Sequence, residues 1–114
     1  MSRMESMKEK TVYELCEELA DILTADYIKW SSNREFPAGS RFFEVVPRRN
    51  KYIKIIFSKD NGRSMHAFVE ESTGLVYKPA SWNAPAKGAR YDIRRDIARL
   101  ADVADWAGSY LYKR

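Results

Sequence analysis

The residues of this chain best suited to chemistry are cations that concentrate in two stretches. The first is the densest basic cluster of the sequence: Arg48, Arg49, Lys51 and Lys54. The second combines three cations with a tryptophan: Lys78, Trp82, Lys87 and Arg90. Ammonium and guanidinium groups pair with phosphate, and an indole ring stacks on a nucleobase. These residue types predict an anionic partner, either nucleic acid or a nucleotide.

The second stretch is framed by Pro79 and Pro85. Prolines restrict the backbone, which lowers the entropy lost when a loop orders around a ligand. A structural interpretation stands beside this one. Trp82 then packs over the end of a sheet, and the first cluster is a solubilising hairpin tip that protects an edge strand. The sequence leaves both interpretations open.

Catalytic residue types are scarce. The chain has one Cys and one His, so it can form neither an internal disulfide nor a tetrahedral Cys/His zinc site. Cys16 lies on the apolar side of a predicted helix, as a buried thiol would. An enzyme would need His66 in a pocket near a carboxylate or Ser81. We therefore expect a protein without catalytic residues, bound metal or cofactor, and keep an enzyme using His66 as the third hypothesis.

Charge is distributed unevenly along the 114 residues. The net charge of +4 combines an acidic stretch 1–30, with 4 basic and 7 acidic residues, and a basic stretch 31–100, with 14 and 7. Such segregation steers an anionic partner toward one face. The basic stretch contains both cation clusters, which strengthens the prediction of anion binding.

The elements that must position these residues can be read from periodicity. Thr11 and Glu14 fit a capping box, and apolar residues at helical spacing continue to about residue 31. Four short apolar and aromatic stretches follow, over 41–47, 51–59, 63–70 and 75–78, separated by turn residues. In the second, Ile53, Ile55 and Phe57 alternate with Tyr52, Lys54 and Ile56. Residues 79–90 are irregular, and Asp92 caps a last helix that runs to about Trp106.

This order predicts an α+β fold with an N-terminal helix, a four-stranded antiparallel meander sheet and a C-terminal helix on the same sheet face. The length suits a single domain spanning residues 1–114, with 1–10 as a flexible N-terminal segment. No run of about 18 apolar residues is present, and the N-terminus lacks the apolar centre of a signal peptide. We therefore expect a cytoplasmic protein without a membrane partner. Its oligomeric state is open.

One stretch also resembles a known family. Residues 78–87 read Lys-Pro-Ala-Ser-Trp-Asn-Ala-Pro-Ala-Lys, which looks like the K-P-A-S-W-x-A-P-A-K-G-x-R signature of small uncharacterised proteins from tailed phages. The likeness covers about a quarter of the chain, from Met65 to Ile93. It implies a phage origin and expression in a bacterial cytoplasm, and it implies no activity.

The leading hypothesis is thus a non-enzymatic phage accessory protein that binds nucleic acid or a nucleotide through the basic hairpin and the proline-framed loop. The runner-up is a protein that inhibits a host defence or transcription factor. Its interface would combine the acidic first helix with the aromatic residues Trp106, Tyr110 and Tyr112.

Overall fold

A computed structural model describes residues 10–31, 36–37, 39–59 and 62–112. The elements follow in the order α1 (Val12–Trp30), β1 (Phe43–Val46), β2 (Tyr52–Lys59), β3 (Gly62–Glu70), β4 (Leu75–Tyr77), β5 (Tyr91–Asp92) and α2 (Ile93–Val103). A 3₁₀ helix, Ser109–Tyr112, closes the described chain. The predicted flexible segment lies outside the described residues except for Lys10, as do residues 60 and 61 between the second and third predicted strands.

Helix α1 begins where the sequence predicts. The Thr11 hydroxyl accepts a hydrogen bond from the Glu14 amide at 3.0 Å, and the Glu14 carboxylate accepts one from the Thr11 amide at 2.8 Å. This capping box satisfies two amides that have no partner within the helix. The apolar stripe of the helix is buried, with Leu19 and Leu23 fully inaccessible.

The sheet has five antiparallel strands in the order β1-β2-β3-β4-β5, where the sequence predicted four. The four predicted strands are present, and the meander is confirmed. The additional strand β5 pairs with β4 through Leu75↔Asp92 and Val76↔Tyr91. Two residues are too few to show a period-two pattern, and Asp92 also caps the next helix, so the sequence predicted the helix start alone.

One face of the sheet packs against helices α1 and α2, and the opposite face does not. Ile53, Ile55 and Val69 point into the core beneath the helices, which confirms the predicted alternation in β2. Their neighbours on the opposite face, here called the outer face, include Lys54 and Phe68, which are paired across β2 and β3. Lys54 of the basic hairpin therefore lies on the outer face.

A bulge breaks the β2–β3 register at His66. Ile55 pairs with Ala67 and Ile56 with Met65, which leaves His66 without a cross-strand partner. A bulge re-aims a side chain relative to the strict alternation of a strand. His66 therefore points to the core side, where it contacts Tyr110 and Phe43.

Helix α2 ends earlier than predicted. Asp92 caps it, accepting hydrogen bonds from the amides of Arg94 at 3.1 Å and Arg95 at 3.3 Å, but the helix stops at Val103, three residues before Trp106. Gly108 then adopts a φ of +87°, a left-handed conformation that favours glycine and redirects the chain into the 3₁₀ helix. Leu100, Ala104 and Leu111 join α1 in one core on the inner sheet face, so both helices share that face as predicted.

No helix among the described residues has the length and apolar character needed to cross a bilayer.

Candidate nucleic-acid interface

The proline-framed loop is internally ordered. Pro79 and Pro85 form an isolated antiparallel bridge, and the Ala86 amide donates to the Lys78 carbonyl at 2.9 Å. Near the tip, the Ala80 and Ser81 amides both donate to the Ala84 carbonyl, at 2.9 and 3.1 Å. The loop is thus a narrow hairpin that continues the β4–β5 pair, and it presents Trp82 at its tip.

Trp82 joins this loop to the cations of the sheet. The Lys54 ammonium lies 5.3 Å from the centre of the indole ring, and the Arg63 guanidinium lies 5.5 Å from it. Both distances fall within the range of cation–π attraction. Trp82 nevertheless remains 41% exposed. It therefore packs against cations of the outer face and still offers ring surface to a ligand.

Beside Trp82 lies an open groove of about 650 Å³, here called the hairpin groove. Three cations line it: Arg49, Lys51 and Lys54. The aromatic residues Tyr52 and Phe68 also line it, as does Asn83 from the loop tip. No carboxylate belongs to the described lining. The groove therefore combines positive charge with aromatic surface, as binding of a nucleic-acid strand requires.

Neighbouring carboxylates partly neutralise the positive charge of two hairpin cations, Arg48 and Lys51. Arg48 forms an ion pair with Glu71, and its guanidinium also donates to the Asn50 carbonyl at 2.9 Å. The Lys51 ammonium lies 3.6 Å from a Glu70 carboxylate oxygen. The Arg48–Glu71 pair is exposed, and exposed pairs contribute at most about 1 kcal/mol, so a phosphate can displace it. Arg49 and Lys54 form no ion pair within the described part of the chain, which makes them the strongest candidates for phosphate contact.

The other predicted site residues lie elsewhere. Lys78 lies over the Tyr112 ring, 4.4 Å from its centre. Lys87 is exposed at the base of the loop and does not line the hairpin groove. Arg90 lines a second groove together with Arg95 and Arg99. The structure thus brings Trp82, Arg49, Lys51 and Lys54 together and separates them from Lys78, Lys87 and Arg90. Arg48, paired with Glu71, is not among the residues that line the hairpin groove.

Two residues of the interface were missed by sequence reasoning. Residue type and spacing assign no binding role to Arg63, at the start of the third predicted strand, or to Asn83, within the loop. The register places Arg63 opposite Ser58, and its guanidinium pairs with Glu44 at 3.0 Å on the outer face. The folding of the loop over the sheet is what makes these residues neighbours of Trp82, and no local pattern signals it.

His66 is buried among aromatic residues. Its Nε2 atom shares a 2.7 Å hydrogen bond with the Tyr110 hydroxyl, and 6% of the residue is exposed. Burial lowers the pKa of His66 to about 4, an effect that Asp105 opposes. Burial likewise raises the pKa of the Tyr110 hydroxyl well above its usual value, and Asp105 adds to this. The pair is arranged as a neutral internal hydrogen bond.

Cys16 is also buried, and burial raises the pKa of its thiol to about 12. Among the described residues no group of three His, Cys, Asp or Glu side chains is placed to hold a metal ion. Asp105 is occupied locally, because it accepts hydrogen bonds from the Gly108 amide and the Ser109 hydroxyl. These groups stabilise the fold.

The aromatic interface of the runner-up hypothesis does not form as predicted. Tyr110 is buried, with 3% exposed, and therefore cannot contact a partner protein. Trp106 packs against Tyr27 and Trp30, with ring centres 5.2 and 4.7 Å apart. Tyr112 is exposed but lies beneath Lys78. The tail aromatics thus belong mainly to the fold.

These features define a small α+β protein with a cationic, aromatic groove on the open face of its sheet. The chain belongs to a family of unknown function, DUF7717, whose sequence profile matches residues 1–113. In the same comparisons, no curated protein and no solved structure matches the chain.

Proposed function

We propose that this protein is a non-enzymatic phage accessory protein that binds single-stranded nucleic acid in the hairpin groove, within the bacterial cytoplasm. The phage setting rests on the resemblance of the loop 78–90 to the tailed-phage signature. The binding function rests on one observation above all: Trp82 of that loop lies against Lys54 and Arg63, at the edge of a groove lined by three cations and no described carboxylate.

The charges of the groove suit a phosphate backbone. Arg49 is exposed and without an ion pair among the described residues, and its guanidinium can grip a phosphate through two hydrogen bonds. Lys54 and Lys51 extend this positive strip along the hairpin. If these three cations each contact one phosphate, a plot of the logarithm of the association constant against the logarithm of the salt concentration should have a slope of about −2 for a single strand.

The aromatic surface suits unpaired bases. Trp82 is 41% exposed, and the half-buried Tyr52 lines the groove with its ring centre 5.8 Å from that of Phe68. A base paired within a duplex cannot stack on either ring, whereas a base of a single strand can. This favours single strands over duplexes.

Fluorescence anisotropy with a labelled oligothymidylate of about twelve nucleotides tests the proposal, since an aromatic groove of this size tolerates any base. The salt concentration is varied from about 50 to about 300 mM, and the slope is compared with the value of about −2. Lys54→Gln and Arg49→Gln should each make the slope shallower by about 0.7. Trp82→Ala should weaken binding by about tenfold while leaving the slope unchanged, because stacking is not ionic.

Lys29→Gln is the matched control. Lys29 is an exposed lysine at the end of α1, in the helical layer on the opposite side of the sheet, so its removal subtracts the same charge far from the groove. Binding that does not respond to salt would overturn the proposal. So would an equal loss of affinity in Lys29→Gln and Lys54→Gln, which would show attraction to net charge alone.

A second candidate function, binding of a host protein, is favoured by Trp30. This residue is 64% exposed, although it stacks on Tyr27 with ring centres 5.9 Å apart, and exposed tryptophans are common at the centres of protein interfaces. A pull-down from nuclease-treated bacterial lysate tests this candidate. Retention of one stoichiometric protein by the wild type and its loss in Trp30→Ala would support it, and retention that is equal in both would contradict it.

A further inference from the structure

We propose that a second groove, between helix α2 and the C-terminal 3₁₀ helix, is a binding site for the diphosphate group of a small molecule. This groove has a volume of about 660 Å³ and is lined by Arg90, Arg95 and Arg99, so we call it the arginine groove. It shares no lining residue with the hairpin groove. The inference is therefore independent of the proposed nucleic-acid binding.

The arginines approach the groove from two elements. Arg95 and Arg99 are separated by four positions on α2, which places them on one face of the helix, one turn apart. Arg90 comes from the end of the loop, where its amide donates to the Val76 carbonyl at 2.7 Å. Three guanidinium groups thus face a common space from two directions.

Two of these arginines have unused hydrogen-bonding capacity. The Nε atom of Arg90 is buried, and no group in the described ranges accepts a hydrogen bond from it. A buried donor of this kind costs free energy unless a partner satisfies it. Arg99 likewise has no ion pair or hydrogen bond to a described residue. The hydrogen bond from the Asp92 amide lowers the pKa of Asp96 most, and the charge of Arg99 lowers it further through electrostatic attraction without direct contact. The buried Nε atom is closed to a ligand, but Arg90 also lines the groove, so a bound anion would supply acceptors to its terminal nitrogens and to the Arg99 guanidinium.

The two carboxylates of the groove, Asp96 and Asp105, already have hydrogen-bond partners, and Asp96 partly neutralises Arg95. Asp96 accepts a hydrogen bond from the Asp92 amide at 2.9 Å and pairs with Arg95 at 3.3 Å. Asp105 accepts from the Gly108 amide at 3.0 Å and from the Ser109 hydroxyl. Neither carboxylate neutralises Arg90 or Arg99 through direct contact, so the groove keeps a local excess of positive charge for a ligand.

The chemistry of the ligand follows from the donors. Guanidinium groups bind phosphate oxygens in pairs, and three of them provide more donors than a single phosphate accepts at once. Two linked phosphates spread their oxygens over a longer distance than one phosphate does. They can therefore contact Arg95 and Arg99, which are one helical turn apart, and also Arg90 across the groove. A diphosphate group, free or attached to a nucleoside, fits these contacts best.

Isothermal titration calorimetry of the full chain with inorganic pyrophosphate tests the site, with orthophosphate and citrate as comparison ligands. We expect pyrophosphate to bind at least about tenfold more tightly than orthophosphate, because the second phosphate adds charge-assisted hydrogen bonds. Adenosine diphosphate then distinguishes the sources of the group. Tighter binding than pyrophosphate identifies a nucleotide ligand, and equal or weaker binding identifies the free diphosphate.

Arg99→Gln and Arg90→Gln should each weaken pyrophosphate binding by about tenfold. Arg99 is exposed, so its replacement should leave folding intact even if Arg90→Gln disturbs the loop. Arg94→Gln is the matched control, since Arg94 lies on the same helix but its guanidinium contacts the Lys10 carbonyl at 3.2 Å, outside the groove. An absence of pyrophosphate binding to the wild type, equal binding of citrate, or an equal loss in Arg94→Gln would each overturn the inference.

Lys54→Gln separates this inference from the proposed function. It should weaken oligothymidylate binding and leave pyrophosphate binding unchanged, whereas Arg99→Gln should do the reverse. Loss of both activities in each variant would show a single extended surface and would contradict the separation of the two grooves.

Discussion

His66 is buried against Tyr110, and its protonation should make this protein less stable as the pH falls. The pKa of His66 is about 4 in the folded chain, against about 6.5 for an exposed histidine. The unfolded chain therefore binds a proton more readily than the folded chain between these two values. Since the folded pKa is the lower one, stability is fully present above about pH 6.5 and is lost as the pH falls toward 4.

The size of the effect follows from the two pKa values. A difference of about 2.5 units corresponds to about 3 kcal/mol of unfolding free energy. Between pH 7 and pH 4.5, about 2 kcal/mol of this should disappear. Because 6% of the residue is exposed, solvent screening reduces this figure little. Such a loss is a large fraction of the stability of a small domain.

Urea unfolding of the wild type and of His66→Gln at both pH values measures the effect. Carboxylates titrate in both proteins, so the difference between their pH dependences isolates His66, and we expect the wild type to lose about 2 kcal/mol more. The chain has one histidine, so NMR titration of its ring protons reports the folded pKa directly, without assignment and without a variant. A measured pKa near 6.5, or equal pH dependences, would refute the reasoning.

Three further predictions follow from the core and the backbone. Leu19→Ala should lower the unfolding free energy by about 2–5 kcal/mol in urea unfolding, because Leu19 is fully buried; a loss below about 1 kcal/mol would contradict its place in the core. Thr11→Ala should cost about 1 kcal/mol in the same assay, whereas Thr11→Ser should retain the capping box. The Cys16 thiol, with its pKa raised to about 12 by burial, should resist a thiol-reactive dye in the native protein and react once the protein is unfolded in urea; fast labelling of the native protein would place it at the surface.

Most of the local structure could be predicted from the sequence because local chemistry specifies it. Thr11 and Glu14 mark the start of α1 through their own side chains, and Asp92 does the same for α2. The alternation of Ile53 and Ile55 with Lys54 assigns β2 and both its faces, since neighbouring side chains of a strand point in opposite directions. Strand β5 escaped prediction, because its two residues are defined only by pairing with β4.

The candidate site was predictable only in part. The sequence identified Trp82, Arg49, Lys51 and Lys54 by residue type, but it grouped them with Arg90, which lies in the arginine groove. Strict alternation along β3 would also place His66 on the outer face with Phe68. The bulge at Ile55 and Ile56 turns His66 to the inner side instead, and a bulge depends on the pairing of two strands.

The sequence by itself thus determined where both helices and four of the five strands lie, which apolar side chains of α1 and β2 are buried, and where positive charge concentrates. These properties depend on neighbours within a few positions along the chain. The tertiary structure alone decided that the loop folds over the sheet to set Trp82 against Lys54 and Arg63, and that Arg90 joins Arg95 and Arg99 in a separate groove. Those groupings depend on the path of the backbone between distant residues, and no local spacing encodes that path.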